Sequence, residues 1–157
     1  MKVKKQPGLL WKIMRWMNSR MIQNYKKGFG PQRMVLLLTT IGRKSGLPRV
    51  TPLQFEKIGD AYYVASARGK YSDWYRNLQQ NTAVHVQVGN HESDGIAELV
   101  TDPARIADFL ELRLKMHPLF IGVLLRLEGL PIHWKRIDME RIASTKVLVI
   151  LHQVSAQ

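Results

Sequence analysis

The chain has 157 residues, of which 45% are hydrophobic and 23% charged, a composition typical of one globular domain with a sizeable core. It contains no cysteine, which excludes disulfides, thiolate catalysis and zinc–thiolate sites. No apolar run reaches the length of a membrane-spanning helix, and the first residues lack the apolar core of a secretory signal, so we expect a cytoplasmic protein.

The formal net charge of +12 is concentrated in the N-terminal third of the chain. Twelve lysines and arginines precede Glu56, the first acidic residue, and the other twelve of the 24 cations balance all 12 acids. Such an asymmetry indicates an anionic partner for this part of the molecule. Charge alone leaves three classes of partner open: a phosphorylated cofactor, a membrane surface or a nucleic acid.

The first predicted element is an amphipathic helix over residues 8–27. Its apolar side chains share about half of the helix circumference, and most of its basic side chains lie opposite. Tryptophan and methionine on the apolar face of a basic helix are typical of membrane interfaces, although most amphipathic helices pack on their own protein. We therefore predict a helix over 1–28 and a domain over 29–157, in a cytoplasmic protein that can lie peripherally on an anionic membrane.

After this helix the apolar pattern alternates, as it does in strands. Antiparallel hairpins are predicted first, helices later and a closing strand last, which makes an α+β domain. About six mostly antiparallel strands suggest a small closed or split β-barrel with flanking helices. The predicted strands cover 35–40, 50–58, 61–66, 84–88, 91–100 and 146–154, and the predicted helices cover 72–81, 102–116, 119–127 and 132–143.

The most informative segment is TTIGRKSGLPRVTPL at residues 39–53. Gly42 and Gly46 can adopt positive φ and leave backbone N–H groups uncovered. Arg43, Lys44 and Arg49 bring three cations to the same turn, so the segment suits an anion. A basic hairpin turn uses the same residue types and stays an alternative. The spacing fits neither a nucleoside-triphosphate loop nor a dinucleotide fingerprint.

Few residues of the chain are arranged for catalysis without a cofactor. No Gly-x-Ser-x-Gly elbow is present, the five histidines lack metal-ligand spacing, and the acids are isolated rather than paired. His117 precedes a proline at a predicted helix end, where capping is the simpler interpretation. If the protein is an enzyme, a bound cofactor supplies the chemistry, and the protein supplies position and electric field.

Four segments occur in the order and spacing of a known family: LLLTTIGRKSGLPRVTPL at 36–53, VAS at 64–66, DWYRNL at 73–78 and VHVQVG at 84–89. Together they resemble the deazaflavin (F420)-dependent nitroreductase family, which belongs to a superfamily of split β-barrel flavin and deazaflavin oxidoreductases. The match runs from about residue 34 to 101 and continues into TDPAR at 101–105. The Gly-Arg-Lys-Ser-Gly loop and the Trp-Tyr-x-Asn-Leu helix are its most specific parts.

The resemblance implies that the chain binds coenzyme F420, an 8-hydroxy-5-deazaflavin with a phosphodiester and a polyglutamate tail. Loop cations and backbone N–H groups would hold the anionic groups of the coenzyme. Thr39 and the Pro52–Leu53 backbone would lie along the edge of its deazaflavin ring. Ser66 is the candidate catalytic residue. The candidate cofactor-binding residues are Leu38, Thr39, Arg43, Lys44, Ser45, Gly46, Leu47, Pro48, Arg49, Pro52, Leu53, Val64, Ala65, Ser66, Ala67, Arg68, Trp74 and Asn77.

The same resemblance implies hydride transfer from the reduced deazaflavin to a quinone-like, nitro-aromatic or activated-alkene acceptor. In relatives, aromatic side chains toward the C-terminus line the acceptor pocket, but residues 115–134 contain no tyrosine here. The loop over 66–73 is also shorter than in quinone-reducing members. The apolar segment 119–130 favours an apolar acceptor stacked beneath it, and the proton is expected from solvent or a nearby Tyr or Ser.

An alternative remains open both for the cofactor and for the class of function. Related split barrels bind FMN, haem or other tetrapyrroles, and the phosphate of FMN also suits a basic loop. A non-catalytic cofactor carrier is the alternative to an enzyme. Nucleic acid is not expected as a partner, because the basic run is not interleaved with an aromatic stacking platform. The expected partners are a small hydride acceptor, an anionic membrane surface and a second copy of the chain in a homodimer.

Overall fold

The computed structural model describes residues 9–66 and 68–154. Its helices are α1 (Leu9–Lys26), α2 (Asp73–Gln80), α3 (Pro103–Met116), α4 (Pro118–Leu127) and α5 (Arg136–Ala143). Its strands are β1 (Val35–Ile41), β2 (Pro48–Gln54), β3 (Glu56–Ile58), β4 (Ala61–Ser66), β5 (Ala83–Val88), β6 (His91–Val100) and β7 (Val147–Gln153). A 3-10 turn at Gly69–Tyr71 links β4 to α2.

The strands of the described ranges form one sheet in the order β2–β1–β5–β6–β7–β4–β3. Every pairing is antiparallel; Leu38, for example, pairs with Thr51 on β2 and with Val86 on β5. The sheet curls so far that β2, at one edge, lies against β4, which is next to the other edge. This curled half-barrel with surrounding helices confirms the predicted α+β split barrel.

The main core lies inside the curled sheet. Leu36 and Leu38 of β1 meet Tyr62 and Val64 of β4 there, because alternate side chains of a strand share one face. Helix α2 closes this core with three apolar side chains, Trp74, Tyr75 and Leu78. The inward face of the barrel is thus filled by packing and is not an open cavity.

Helices α3, α4 and α5 cover the other face of β4, β6 and β7. Phe109 of α3 and Met139 of α5 pack there with Leu148 and Ile150 of β7. Covered on both faces, residues 147–151 of β7 are all buried, which explains the continuously apolar run of this strand. Asp102 caps α3, since its carboxylate accepts the backbone N–H of Ala104 at 3.0 Å.

Helix α1 packs on the barrel through its C-terminal end. Tyr25 lies with Ile22 against Val35 and Leu37, and its hydroxyl donates to the Val35 carbonyl at 2.7 Å. Earlier in the helix, Ile13, Trp16, Met17 and Met21 are exposed, at 45%, 58%, 57% and 41%. No helix in the described ranges is both long and apolar enough to cross a membrane. The domain boundary at residue 28 stays a prediction.

The structure differs from the sequence prediction at Phe55. One strand was expected over 50–58, but β2 ends at Gln54 and β3 begins at Glu56, so the sheet has seven strands rather than six. At the break, the Phe55 N–H donates to the carbonyl of Met34 at 3.1 Å, and the Phe55 ring packs edge-on against Tyr62. Strand β3 then pairs with β4 instead of continuing along β1.

Candidate functional site

The connection between β1 and β2 is a tight turn that depends on glycine. The Gly42 N–H donates to the Leu47 carbonyl at 2.8 Å, and the Gly46 N–H donates to the Gly42 carbonyl at 2.7 Å. Gly46 has a φ of +69°, which favours glycine. A Cβ on Gly42 would lie 2.6 Å from Ser45 Oγ and 3.1 Å from the Leu47 carbonyl oxygen. A larger residue would therefore require the Ser45 hydroxyl to rotate away and the Leu47 carbonyl to shift by a few tenths of an ångström.

Arg43 fixes this turn to helix α2. Its guanidinium donates at 3.0 Å to the Asp73 carboxylate and at 3.0 Å to Asn77 Oδ1, which also accepts the Arg43 backbone N–H at 3.2 Å. The Asn77 amide donates to Thr40 Oγ1 at 3.1 Å. Asn77 is 4% exposed and Thr40 1% exposed. Arg43 therefore holds the loop against α2, and its contact with a cofactor stays a prediction.

Lys44 and Arg49 are the exposed cations of the same loop. Among residues 9–66 and 68–154, no carboxylate forms an ion pair with either side chain. Arg49 has only a 3.5 Å contact to Ser45 Oγ, at the limit of a hydrogen bond. These two cations are available for charge-assisted hydrogen bonds to a phosphate or carboxylate.

The candidate cofactor-binding residues of β1 and β2 lie on both faces of the sheet, as the strand pairing shows. Directly paired residues of antiparallel strands share a face. Arg49 pairs with Thr40, so both lie on the inner face with Leu38, whereas Thr39 lies on the outer face with Pro52. Because β2 is an edge strand, a ligand along it can reach both faces. An outer cleft of about 350 Å³ is lined by Lys26, Leu37, Thr39, Val50, His85, Gln87 and Glu92.

The candidate cofactor-binding residues at the end of β4 lie mostly in the interior of the protein. Val64 belongs to the main core, and Ala65 packs on the helical side. Ser66 is 4% exposed, and its hydroxyl is hydrogen-bonded to the Ser72 hydroxyl before α2. Arg68 is exposed, and Ala67 lies outside the described residues. Ser66 thus joins β4 to α2, and its candidate catalytic role stays a prediction.

Trp74 packs in the main core at 7% exposure, with its ring edge-on to Tyr75. Burial raises the pKa of the Tyr75 hydroxyl, so this tyrosine keeps its proton at neutral pH. Both aromatic side chains therefore stabilise the closed end of the barrel. A cofactor contact of Trp74 stays a prediction.

A second group of cations lies between β4 and α2, and the sequence analysis did not single it out. Tyr71 is 61% exposed, with Lys70 Nζ 5.7 Å and the Arg76 guanidinium carbon 5.8 Å from its ring centroid. Arg76 also donates to the Lys70 carbonyl at 3.3 Å. This group could have been predicted from the run RGKYSDWYR at 68–76, because basic and aromatic residues are interspersed there.

An ionic cluster at the other end of β2 was also missed. Glu56 Oε1 lies 3.3 Å from Arg113 Nε and 3.1 Å from His117 Nε2, and the Glu56 side chain is 10% exposed. His117 is the cap residue between α3 and α4, as predicted, and its backbone N–H donates to the Arg113 carbonyl at 2.8 Å. Its imidazole makes no capping hydrogen bond and pairs with Glu56 instead. The cluster opens into a cleft of about 70 Å³ lined by Arg33, Met34, Gln54, Phe55, Glu56, Arg113, His117 and Phe120.

A family model described as F420H(2)-dependent quinone reductase matches residues 12–121, which include the basic loop and both cation groups. The chain belongs to this family. A curated F420H(2)-dependent quinone reductase of Mycobacterium tuberculosis strain H37Rv is 40% identical over 57 residues, 34% of this chain and 38% of that relative. The chain thus matches well under two thirds of the length of this family member.

Solved structures support the fold. A structure of an F420-H2-dependent reductase superposes with a TM-score of 0.52 at 22% identity, covering 76% of this chain and 95% of that one. A domain-swapped dimer superposes with a TM-score of 0.54 at 19% identity, covering 88% and 98%. At such identities the likeness is evidence for the fold alone.

The family inferred from sequence is confirmed, as is its description as an F420-dependent family of oxidoreductases. The deazaflavin prediction is therefore confirmed at the level of the family. The family description names quinone reduction, and nitro reduction stays a prediction.

Replacing Asn77 with alanine is expected to destabilise the protein by about 1.5–3 kcal/mol, because Arg43 and Thr40 lose a buried hydrogen-bond partner. Chemical denaturation followed by tryptophan fluorescence measures the change. Gln79→Ala, at an exposed position of the same helix, should alter the free energy of unfolding by less than about 0.5 kcal/mol. Equal stability of the two variants would show that the network does not hold the loop.

Proposed function

We propose that this protein is an F420H2-dependent reductase that passes a hydride to a quinone-like, nitro-aromatic or activated-alkene acceptor. The observation behind the proposal is the family match over residues 12–121, which contains a loop with two exposed, unpaired cations. When bound, the reduced deazaflavin supplies the hydride. The chain supplies the binding energy, the orientation of the acceptor and the electrostatic field.

The charges of the site suit the coenzyme. Lys44 and Arg49 face no carboxylate in the described part of the chain and can hold a phosphodiester, while Lys70 and Arg76 add cations for a polyglutamate tail. The Arg43 network fixes the loop before a ligand arrives, so little ordering is needed on binding. FMN offers one phosphate only, and the larger cation set together with the family match favours F420 over FMN or haem.

The Glu56 cluster offers a substitute for the missing tyrosine donor. Strand β2 extends about 17 Å from Arg49 to Gln54, at roughly 3.3–3.4 Å per residue, and so leads from the loop cations to the cleft. The cleft includes Gln54, which directly follows the expected ring position at Pro52–Leu53, and it contains the N–H groups of Arg113 and His117, which pair with Glu56. We propose that these donors stabilise the negative charge that develops on the acceptor and that His117 delivers a proton to it.

Lys44→Ala and Arg49→Ala are each expected to weaken F420 binding about tenfold or more, because each removes a charged hydrogen bond of about 1.5–3 kcal/mol. Titration with the oxidised coenzyme, followed by tryptophan fluorescence, measures the affinity. Lys57→Ala is the control. Lys57 is an exposed cation of β3 that pairs with Tyr62 near the start of β4, whereas Ser66 lies at the opposite end of that strand. Unchanged affinity with a lowered melting temperature would identify the loop as a structural turn.

We also propose that the outer half of α1 binds anionic membranes. Trp16 is 58% exposed and has the Arg20 guanidinium carbon 5.0 Å from its ring centroid, which places an amphipathic anchor beside a cation. No acid occurs before Glu56, so this helix attracts anionic lipid headgroups. A peripheral cytoplasmic location follows from the proposal.

Trp16→Glu is expected to reduce co-sedimentation with anionic vesicles about tenfold, because it removes an interfacial anchor and adds a negative charge. Gln23→Glu is the matched control, as it adds the same charge to another exposed position of α1. Equal losses in the two variants would mean that charge alone drives binding. Unaltered sedimentation of Trp16→Glu would make α1 an ordinary packing element.

A homodimer stays a prediction for this chain. One solved structure of the same fold is a domain-swapped dimer, which supports that assembly. In the described sheet, β2 and β3 are the edge strands, and a sheet edge is where another copy of a chain can pair.

A further inference from the structure

Helix α4 has an apolar face that no other described element covers. Leu119, Val123 and Leu127 recur every four residues and are 86%, 57% and 80% exposed. Phe120 and Leu124 lie beside this row at 50% and 39% exposure. We call these five side chains the α4 stripe. Single exposed apolar residues are common in proteins, but an adjacent group of this kind marks an interaction surface.

The stripe is not needed for the packing of α4 in the protein core. The opposite face of the helix already buries Ile121 and Leu125 in the helical core, at 3% exposure each. The solvent side of such a helix is usually polar. Since α4 is apolar on both sides, its outer face fits a second, non-aqueous environment.

The charges around the stripe indicate which kind of surface the stripe contacts. Residues 113–127 contain no acidic residue, and their exposed cations are Lys115 and Arg126, neither of which has an ion-pair partner among the described residues. The third cation, Arg113, is already paired with Glu56. The next acid in the chain, Glu128, is paired with Lys146 at 2.7 Å. The stripe is therefore apolar with a basic border, the combination that favours an anionic interface.

The stripe continues toward the segment that follows α1. Phe120 lines the same cleft as Arg33 and Met34, and Met34 is 52% exposed. Earlier in that segment, Phe29 is 68% exposed. The apolar and basic surface thus extends from α4 to the connection between α1 and β1.

We propose that the α4 stripe lies on the surface of an anionic lipid bilayer, as a contact separate from the outer half of α1. At about 1.5 Å per residue the ten residues of α4 extend about 15 Å, so the helix is too short to span a membrane and must lie in the headgroup region. The proposal goes beyond the reductase activity, because it concerns binding of the outer face of α4 to lipid. Phe120 also lines the cleft beside His117, so the proposal is tested by vesicle binding without cofactor.

A second copy of the chain is a poorer occupant on charge grounds. A two-fold contact of the stripe with itself would bring Lys115 and Arg126 of both copies together. Residues 113–127 offer no carboxylate to compensate that repulsion. A bilayer that contains anionic lipid supplies the missing negative charge.

The test is binding of the full-length protein, without cofactor, to vesicles of phosphatidylcholine mixed with phosphatidylglycerol. Leu119→Gln/Val123→Gln leaves the net charge unchanged and is expected to weaken co-sedimentation about tenfold or more, because two apolar side chains no longer leave water. Ile96→Gln/Val154→Gln is the matched control, since each residue is 54% exposed on another part of the surface. The control should bind like the unmodified protein.

Leu127→Gln provides a second test at the last turn of α4, with an expected loss of about three- to tenfold. Thermal unfolding verifies that each variant is folded. Unchanged vesicle binding of both stripe variants would overturn the proposal. Loss of a dimer in sedimentation velocity, with vesicle binding intact, would also overturn it and assign the stripe to a second copy of the chain.

Discussion

The buried Asn77 amide is the contact on which the arrangement of the cation loop depends. It accepts two hydrogen bonds from Arg43 and donates one to Thr40, so helix α2, strand β1 and the loop are held in one geometry. This use of Arg43 separates the three loop cations by role. Arg43 forms hydrogen bonds within the protein that fix the turn. The other two cations, Lys44 and Arg49, remain exposed and can bind an external anion.

The barrel has polar residues at two places and apolar packing between them. Four of its buried polar residues, Thr40, Ser66, Ser72 and Asn77, belong to the end that α2 closes. Glu56, buried with Arg113 and His117 as partners, lies beyond the other end of β2. Because a buried polar group must be paired, each place is rigid. The edge strand β2 runs from the loop cations to the Glu56 cluster, and under the proposed function it would connect the cofactor's anionic groups with the donors for the acceptor.

The sequence predicted the features that depend on local chemistry. The positive φ of Gly46, the basic loop and the alternating strands are signals within a few residues, and the structure contains each of them. Gly42 does not adopt the positive φ expected of it. The apolar period also gave the helices to within a few residues. Family resemblance then identified the deazaflavin family, which composition and spacing alone left open.

The features that were missed depend on contacts between distant parts of the chain. Glu56 and His117 are far apart in sequence, and the fold brings the end of α3 next to β3, where Arg113 and His117 both pair with Glu56. The division of Thr39 and Arg49 between two faces follows from strand register, and the burial of Ser66 follows from the closure of the barrel by α2. The break at Phe55 likewise reflects a change of strand partner: the Phe55 N–H still donates to Met34 beside β1, whereas β3 pairs with β4.

Single-turnover oxidation of the reduced coenzyme tests the central claim most directly. In a stopped-flow instrument, the protein loaded with F420H2 is mixed with quinones, nitro-aromatics and enones, and the recovery of oxidised-coenzyme absorbance is followed. The account predicts protein-dependent oxidation by at least one of these acceptors, slower in His117→Ala than in Lys57→Ala at equal cofactor occupancy. A protein that binds the coenzyme but allows no acceptor to oxidise it would contradict the account and indicate a cofactor carrier.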